Sequence, residues 1–246
     1  MTMLKVQGLT RSFGGVAAVD DVSFSVAAGE MLALIGPNGA GKSTCFNMLG
    51  GQLPPDRGTI RLAGQDVTGR SPRALSRLGV GRTFQITATF ASMSVRENVQ
   101  TALLARHRRI WRFGRAADGH FVHEAAALLA QVGIADLAPR PAGMLAYGDL
   151  KRLELAMALA SGPMLLLMDE PTAGMAALER AALMALVRAL ADARGLAVLF
   201  TEHDMDVVFT RADRILVLDH GRLIAEGNAA AIQADARVRE IYLGVL

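Results

Sequence analysis

The stretch Gly36-Pro37-Asn38-Gly39-Ala40-Gly41-Lys42-Ser43-Thr44 limits the fold more than anything else in this 246-residue chain. Two glycines separated by four residues and followed by Lys and Ser form a phosphate-cradling pattern. The apolar run at 31–35 just before it has the length of a buried strand, and residues 45–49 continue as a helix until Gly50-Gly51 stops it. Strand, glycine loop and helix therefore come in the order the chemistry needs. Loop amides curl around phosphate oxygens, and the helix N-terminus adds its partial positive charge. In that frame Lys42 reaches the β- and γ-phosphates and Ser43 holds Mg²⁺. A plain glycine-rich turn is the alternative, and the full pattern in this context argues against it.

The remaining pattern predicts what surrounds the loop. Residues 4–9 and 22–26 alternate with a period of two and are expected to be short strands. Between them Phe13 is either a ring for a base to stack on or a residue packed under Gly14-Gly15. Residues 58–65 predict a strand and hairpin, 72–78 a short helix opened by Ser71-Pro72, and 79–85 a strand ending at Gln85. Helical spacing then dominates 95–108 and 121–132. Strand signals return with the apolar run 164–168 ahead of Asp169-Glu170, a long helix over 177–194, and the buried strand 196–200 ahead of Thr201-Glu202-His203-Asp204. Continuous apolar runs suit parallel strands covered on both faces, and strands alternating with helices predict a mostly parallel α/β sheet. From Gly221 a hairpin and two short helices are expected.

Ligands on such sheets sit at the carboxyl ends of the strands, where the phosphate loop, Asp169-Glu170 and His203 all fall. Phosphoryl transfer needs a phosphate cradle, a metal and a group that positions the attacking water. Asp169 is assigned to Mg²⁺, directly or through water. Glu170, which the strand's alternation turns another way, is assigned as general base, and His203 as a contact to the γ-phosphate.

Composition narrows the partners. Net charge is only +3, and lysine occurs at Lys5, Lys42 and Lys151 alone, so no nucleic-acid-binding face is expected. One basic cluster, Arg106-His107-Arg108-Arg109 with Arg112 and Arg115 beside Trp111 and Phe113, is either a solvated helix end or a contact to lipid headgroups or a membrane partner. The single cysteine, Cys45, forms no internal disulfide and points to a reducing compartment. No signal segment is expected. The longest apolar stretch, 155–168, is broken by Ser161-Gly162-Pro163 and falls short of a membrane span.

These elements and their spacing resemble the nucleotide-binding subunit of ATP-binding-cassette (ABC) transporters over almost the whole chain. Residues 36–44 match that family's Walker A loop, and 165–170 its Walker B strand and catalytic glutamate. Gln85 matches the Q-loop glutamine, which in the family joins the metal site to the membrane subunits; His203 matches the switch histidine and Phe13 the adenine-stacking aromatic. Leu145-Ala146-Tyr147-Gly148-Asp149 occupies the signature position, directly ahead of a predicted helix. In the family, Leu-Ser-Gly-Gly-Gln there binds the γ-phosphate of the ATP held by the other subunit, so two subunits close head to tail on two ATP molecules. Ala146 replaces the signature serine and removes its hydroxyl, and Ala176 stands where the D-loop usually has aspartate.

The resemblance implies a P-loop, RecA-like α/β core with an N-terminal antiparallel β portion and an inserted helical subdomain. A single domain over 1–246 is expected, with core at about 1–85 and 162–220, helical subdomain at about 86–161 and a C-terminal extension at 221–246. It implies catalytic roles for Glu170, His203, Gln85 and Lys42. ATP contacts fall to Phe13, Gly36, Pro37, Asn38, Gly39, Ala40, Gly41, Lys42, Ser43, Thr44, Gln85 and Asp169, and Mg²⁺ to Ser43, Gln85 and Asp169. Arg82-Thr83-Phe84-Gln85, Leu145-Ala146-Tyr147-Gly148, Thr201-Glu202-His203-Asp204-Met205 and Tyr242-Leu243-Gly244 look like the ATPases of branched-chain (hydrophobic) amino-acid importers. That group also serves urea, amides and aromatic acids. Its members commonly pair with a related but different ATPase subunit, on the cytoplasmic face of the bacterial inner membrane. Two permease subunits and, indirectly, a solute-binding protein complete the assembly, and a groove near 85–98 is expected to receive a permease helix. A soluble ABC ATPase acting on DNA or ribosomes would bring long coiled coils or tandem cassettes. A small-molecule kinase would need neither the Leu145–Asp149 segment nor His203.

Overall fold

A computed structural model of the chain describes residues 1–83, 89–107 and 121–243. Gln85 and most of the basic cluster, from Arg108 onward, lie outside the described residues. So does Gly244.

The chain opens with a hairpin, β1 (Thr2–Phe13) and β2 (Val16–Ala27), closed by Gly14 and Gly15 at φ +54° and +86°. Backbone angles of that sign are open to glycine at no steric cost. Both strands run well past the expected segments. The extra length pairs the polar residues Arg11 and Ser12 with Val19 and Ala17, and Ser12 and Arg11 are tied further to the Asp56 carboxylate at 2.8 and 2.6 Å. Polar positions without a buried face carry no period-two signal, which is why the pattern ends early. With β4 (Arg57–Leu62) and β5 (Gln65–Asp66) the hairpin makes a four-stranded antiparallel sheet in the order β2-β1-β4-β5.

A second sheet holds β3 (Met31–Ile35), β6 (Val80–Thr83), β7 (Leu165–Asp169), β8 (Ala197–Thr201), β9 (Arg214–Asp219) and β10 (Arg222–Gly227), in the order β10-β9-β3-β8-β7-β6. All its pairings are parallel except β9 with the edge strand β10. Both faces are covered, which explains the unbroken apolar runs. Leu32 and Leu34 of β3 pack toward the antiparallel sheet and toward α1 (Lys42–Leu49). Met31, Ala33 and Ile35 pack on the opposite side, in a cluster that includes α3 (Val95–Arg106), α4 (Val122–Gln131), α5 (Tyr147–Ala160) and α6 (Ala177–Arg194). α2 (Pro72–Arg77) precedes β6, and α7 (Met205–Arg211), α8 (Ala229–Ala234) and α9 (Ala236–Leu243) complete the chain.

Helix boundaries follow their caps. The Ser94 hydroxyl accepts the Glu97 N–H at 3.2 Å while Glu97 accepts the Ser94 N–H at 2.6 Å, a reciprocal cap that opens α3. α6 buries Leu183, Met184, Val187, Leu190 and Ala191, one helical stripe, and ends at Gly195 with φ +61°. The expected helix after the Leu145–Asp149 segment starts inside that segment instead. Tyr147 begins α5 and Ala146 is its N-cap, with no side-chain acceptor to mark the boundary. No helix among the described residues is long and apolar enough to cross a membrane.

Candidate active site

The phosphate loop leaves β3 at Ile35 and enters α1 at Lys42. Gly36 is required by space, since a Cβ there would stand 2.3 Å from the Leu218 carbonyl oxygen. Gly41 is required twice over: its φ is +102°, and a Cβ would stand 2.3 Å from the Ala18 carbonyl oxygen. α1 opens with no side-chain cap and no acidic residue in its own first turn, so nothing within the helix neutralises its amide donors and positive dipole end. A phosphate fits that arrangement. Lys42 is buried, and its ammonium donates to the Gly36 carbonyl at 2.7 Å and the Pro37 carbonyl at 3.0 Å. Burial lowers its pKa from the usual lysine value, partly offset by the carboxylates of Glu170 and Asp169, which pull it upward. Ser43 is exposed on the first turn of α1, where its hydroxyl is accessible to a cation.

At the ends of β7 and β8 the backbone register pairs Asp169 with Thr201. The Thr201 hydroxyl donates to Asp169 Oδ1 at 2.7 Å and accepts the Glu170 N–H at 3.0 Å. Arg82 Nη2 stands 3.8 Å from the other Asp169 oxygen. Glu170 has φ +48°, a left-handed angle unusual for a side-chain-bearing residue, and this turns it away from the β7 alternation. Its Oε1 lies 2.9 Å from His203 Nε2. Residues of this conformation persist where surrounding contacts over-determine them, and they concentrate at functional sites. Behind them Glu202 is buried and accepts both the Thr172 N–H at 2.9 Å and the Thr172 hydroxyl at 2.7 Å. Burial raises the Glu202 pKa and the nearby Glu170 charge adds to that, against the bonds from Thr172 and the His203 amide.

The structure therefore brings Lys42, Asp169, Glu170 and His203 together. The sequence pattern alone assigns no site role to Thr201 or Glu202. Their one signal is position, immediately ahead of His203 at the end of an apolar strand. Phe13 is half exposed at the hairpin end, with the Arg11 guanidinium 5.1 Å from its ring centre.

The Leu145–Asp149 segment is held by different contacts. Tyr147 donates its hydroxyl hydrogen to the Ala173 carbonyl at 3.0 Å, and the Lys151 ammonium lies 5.4 Å from its ring centre. Gly148 is buried against Glu179 of α6, so that a Cβ would stand 3.2 Å from the carboxylate. Ala176 caps α6 without a side-chain acceptor, and the Glu179 carboxylate takes its N–H at 3.3 Å. Met144, Tyr147 and Leu178 are exposed around these two helix starts.

A family profile described as ABC transporter matches residues 19–173, and one described as Branched-chain amino acid ATP-binding cassette transporter matches residues 222–245. The chain is 38% identical over 252 residues to the high-affinity branched-chain amino acid transport ATP-binding protein BraF of Pseudomonas aeruginosa, spanning 98% of each chain. It is 38% identical over 253 residues, again spanning 98% of each, to the corresponding protein LivG of Escherichia coli. Among solved structures, a nucleotide-free ATP-binding cassette from an ABC transporter superposes with TM-score 0.88 at 32% identity, covering 100% of both chains. The ADP conformation of an ABC transporter cassette gives the same TM-score of 0.88, identity of 32% and full coverage of both chains.

Proposed function

The chain belongs to the ABC transporter family, as an ATP-binding ATPase subunit, and from that membership we propose that it powers uptake of branched-chain or other hydrophobic amino acids. It acts on the cytoplasmic face of a bacterial inner membrane, bound to two permease subunits and served by a solute-binding protein. The observation that carries the hydrolytic assignment is the 2.9 Å approach of Glu170 to His203 beside the phosphate loop. The solute class rests on the two full-length relatives and on the matched C-terminal segment.

Each residue then has a defined task. The amides of Gly39, Ala40, Gly41 and the start of α1 bind the phosphates of ATP, and Lys42 exchanges its loop carbonyls for phosphate oxygens. Phe13 supplies a stacking face for the base. Ser43 and Asp169, with Gln85, hold Mg²⁺, which when bound neutralises charge building on the phosphoryl oxygens. Thr201 fixes the Asp169 carboxylate toward that position and leaves Glu170 turned the other way. Glu170 takes a proton from the attacking water, and His203 holds Glu170 in place.

We divide the single domain as core at about 1–85 and 162–220, helical part at about 86–161 and C-terminal extension at 221–246. The site is completed by a second ATPase subunit presenting its segment equivalent to 146–149. Exposed Met144, Tyr147 and Leu178 supply apolar surface for that contact. The test is reconstitution in lipid with candidate permeases and paired ATPase subunits. Weak ATPase activity alone that rises on assembly, and again with a solute-loaded binding protein, supports the reading. Full activity indifferent to membrane partners overturns it.

A further inference from the structure

Arg82 of β6 lines a cavity of about 390 Å³ together with Thr83 and Glu154, yet its guanidinium is bonded elsewhere. Nη1 donates to the Gln52 side chain at 2.7 Å and to the Phe46 carbonyl at 3.3 Å, and Nη2 donates to the Asn47 side chain at 2.9 Å. All three acceptors belong to α1 or to the loop just after it, and the first turn of that helix carries Lys42 and Ser43. Gly50 leaves room for the group, since a Cβ there would clash with Nη1. The Arg82 side chain is only 12% exposed, and burying a guanidinium carries a desolvation cost that its partners must offset.

The bonds to α1 hold the guanidinium at a fixed place beside Asp169. Nη2 stands 3.8 Å from Asp169 Oδ2, beyond hydrogen-bond reach, so it acts there as a charge and not as a donor. Thr201 occupies the other oxygen, and among the described residues no hydrogen bond reaches Oδ2. The oxygen of Asp169 left open to a metal therefore faces a cation that the protein supplies. Asp169 and Glu170 bring two negative charges to this end of the sheet; Lys42 interacts with both, and Arg82 adds a second positive charge.

We propose that Arg82 is a positioning residue that keeps the Mg²⁺ position closed until nucleotide arrives. Its guanidinium stands in for the metal charge beside Asp169 Oδ2. Without it, two carboxylates facing one lysine would draw a divalent cation into the site ahead of nucleotide. With it, such a cation meets a repulsion that the phosphate charges of ATP outweigh, so metal and nucleotide enter together. This role rests on the assignment of Asp169 to Mg²⁺ above. A plain strut between β6 and α1 predicts the opposite sign, because its loss would loosen Asp169 against Ser43 and weaken metal binding.

Mn²⁺ binding to the full-length subunit without nucleotide, followed by electron paramagnetic resonance, tests that sign. Arg82→Met removes the charge and should bind Mn²⁺ at least about tenfold more tightly than the wild type. Arg82→Lys keeps a charge and should stay within about twofold of it. Unchanged or weaker binding by Arg82→Met, or equal tightening by Arg82→Lys, overturns the role. Gln52→Glu keeps the test open should Arg82→Met fail to fold. Gln52 is exposed, and a carboxylate in its place would offset the guanidinium charge from Nη1, raising Mn²⁺ affinity about threefold. Unchanged affinity in that variant also overturns the role.

A melting experiment on the wild type separates this role from the metal assignment beneath it. ATP with Mg²⁺ should raise the melting temperature further than ATP with a chelator. If it does not, the metal assignment falls and the role of Arg82 with it. If it does, while nucleotide-free Mn²⁺ binding fails to tighten in the variants, Arg82 is a strut and the metal assignment stands.

Discussion

The Thr201 hydroxyl bridges Asp169, which ends β7, and Glu170, which follows it, donating to the Asp169 carboxylate at 2.7 Å and accepting the Glu170 amide hydrogen at 3.0 Å. One side chain on a neighbouring strand thus orients one carboxylate and pins the backbone where the next residue turns to φ +48°. Asp169 and Glu170 are adjacent in sequence yet face different partners, and Thr201 holds that divergence.

Replacing Thr201 by Val should therefore separate binding from chemistry. Removing the hydroxyl strands the Glu170 amide and frees the Asp169 carboxylate, at a cost of about 1–3 kcal/mol in stability. We expect kcat of the assembled complex to fall about tenfold with KM for ATP moving no more than about twofold. Thr201→Ser restores the hydroxyl and should restore kcat. A purely structural role would lower the melting temperature and leave the ratio of kcat to KM effects unsplit.

Glu170→Gln keeps the shape of the side chain and its contact with His203 while removing the proton acceptor. ATP should still bind, as followed by equilibrium titration of a fluorescent nucleotide, and hydrolysis should slow by about 10²–10⁴-fold. Turnover at the wild-type rate would falsify the assignment of Glu170 as base.

The start of α5 offers a gain rather than a loss. Ala146 caps a fourteen-residue helix without a side-chain acceptor. Ala146→Ser supplies one to the amides at the second or third position of α5, for about 1 kcal/mol of stability and a melting temperature about 2–4 °C higher. The same hydroxyl is what the family signature carries, so assembled ATPase activity should rise as well. A stability gain with no change in activity would confine the residue to a capping role.

How much of this was legible in the sequence depended on burial. β3, β7 and β8 stood out because strands covered on both faces must be apolar at every position, and α6 because its stripe is long and ends at Gly195. The phosphate loop was legible because Gly36 and Gly41 tolerate no side chain. The full reach of the first hairpin was not, since Arg11 and Ser12 pair through backbone and Asp56 with no apolar period to announce it. Neither was the start of α5, where Ala146 lacks the polar signature of a cap. Thr201 and Thr83 escaped for another reason. A threonine at a strand end looks the same whether it ties a carboxylate to a neighbouring backbone amide or faces a cavity, and residues 83 and 154 line one cavity only in three dimensions.

Glu202 makes the fold sensitive to pH in a direction opposite to most paired carboxylates. Its folded-state pKa lies above the ordinary value of 4.5 because burial, reinforced by Glu170, disfavours the charged form. Between 4.5 and that raised value the folded chain keeps a proton that the unfolded chain has released. Stability from this group is fully present below the lower bound and declines as pH climbs through the folded pKa. Glu202→Gln keeps an acceptor for both Thr172 bonds and cannot ionise, so it should not share in that decline. Measured by thermal denaturation across the acid range, the variant should gain on the wild type by a few degrees as pH rises through the window and then run parallel to it. A gap that stays constant from pH 4 upward would mean that Glu202 ionises in the folded chain as freely as in the unfolded one, and that Thr172 and the His203 amide fully offset its burial.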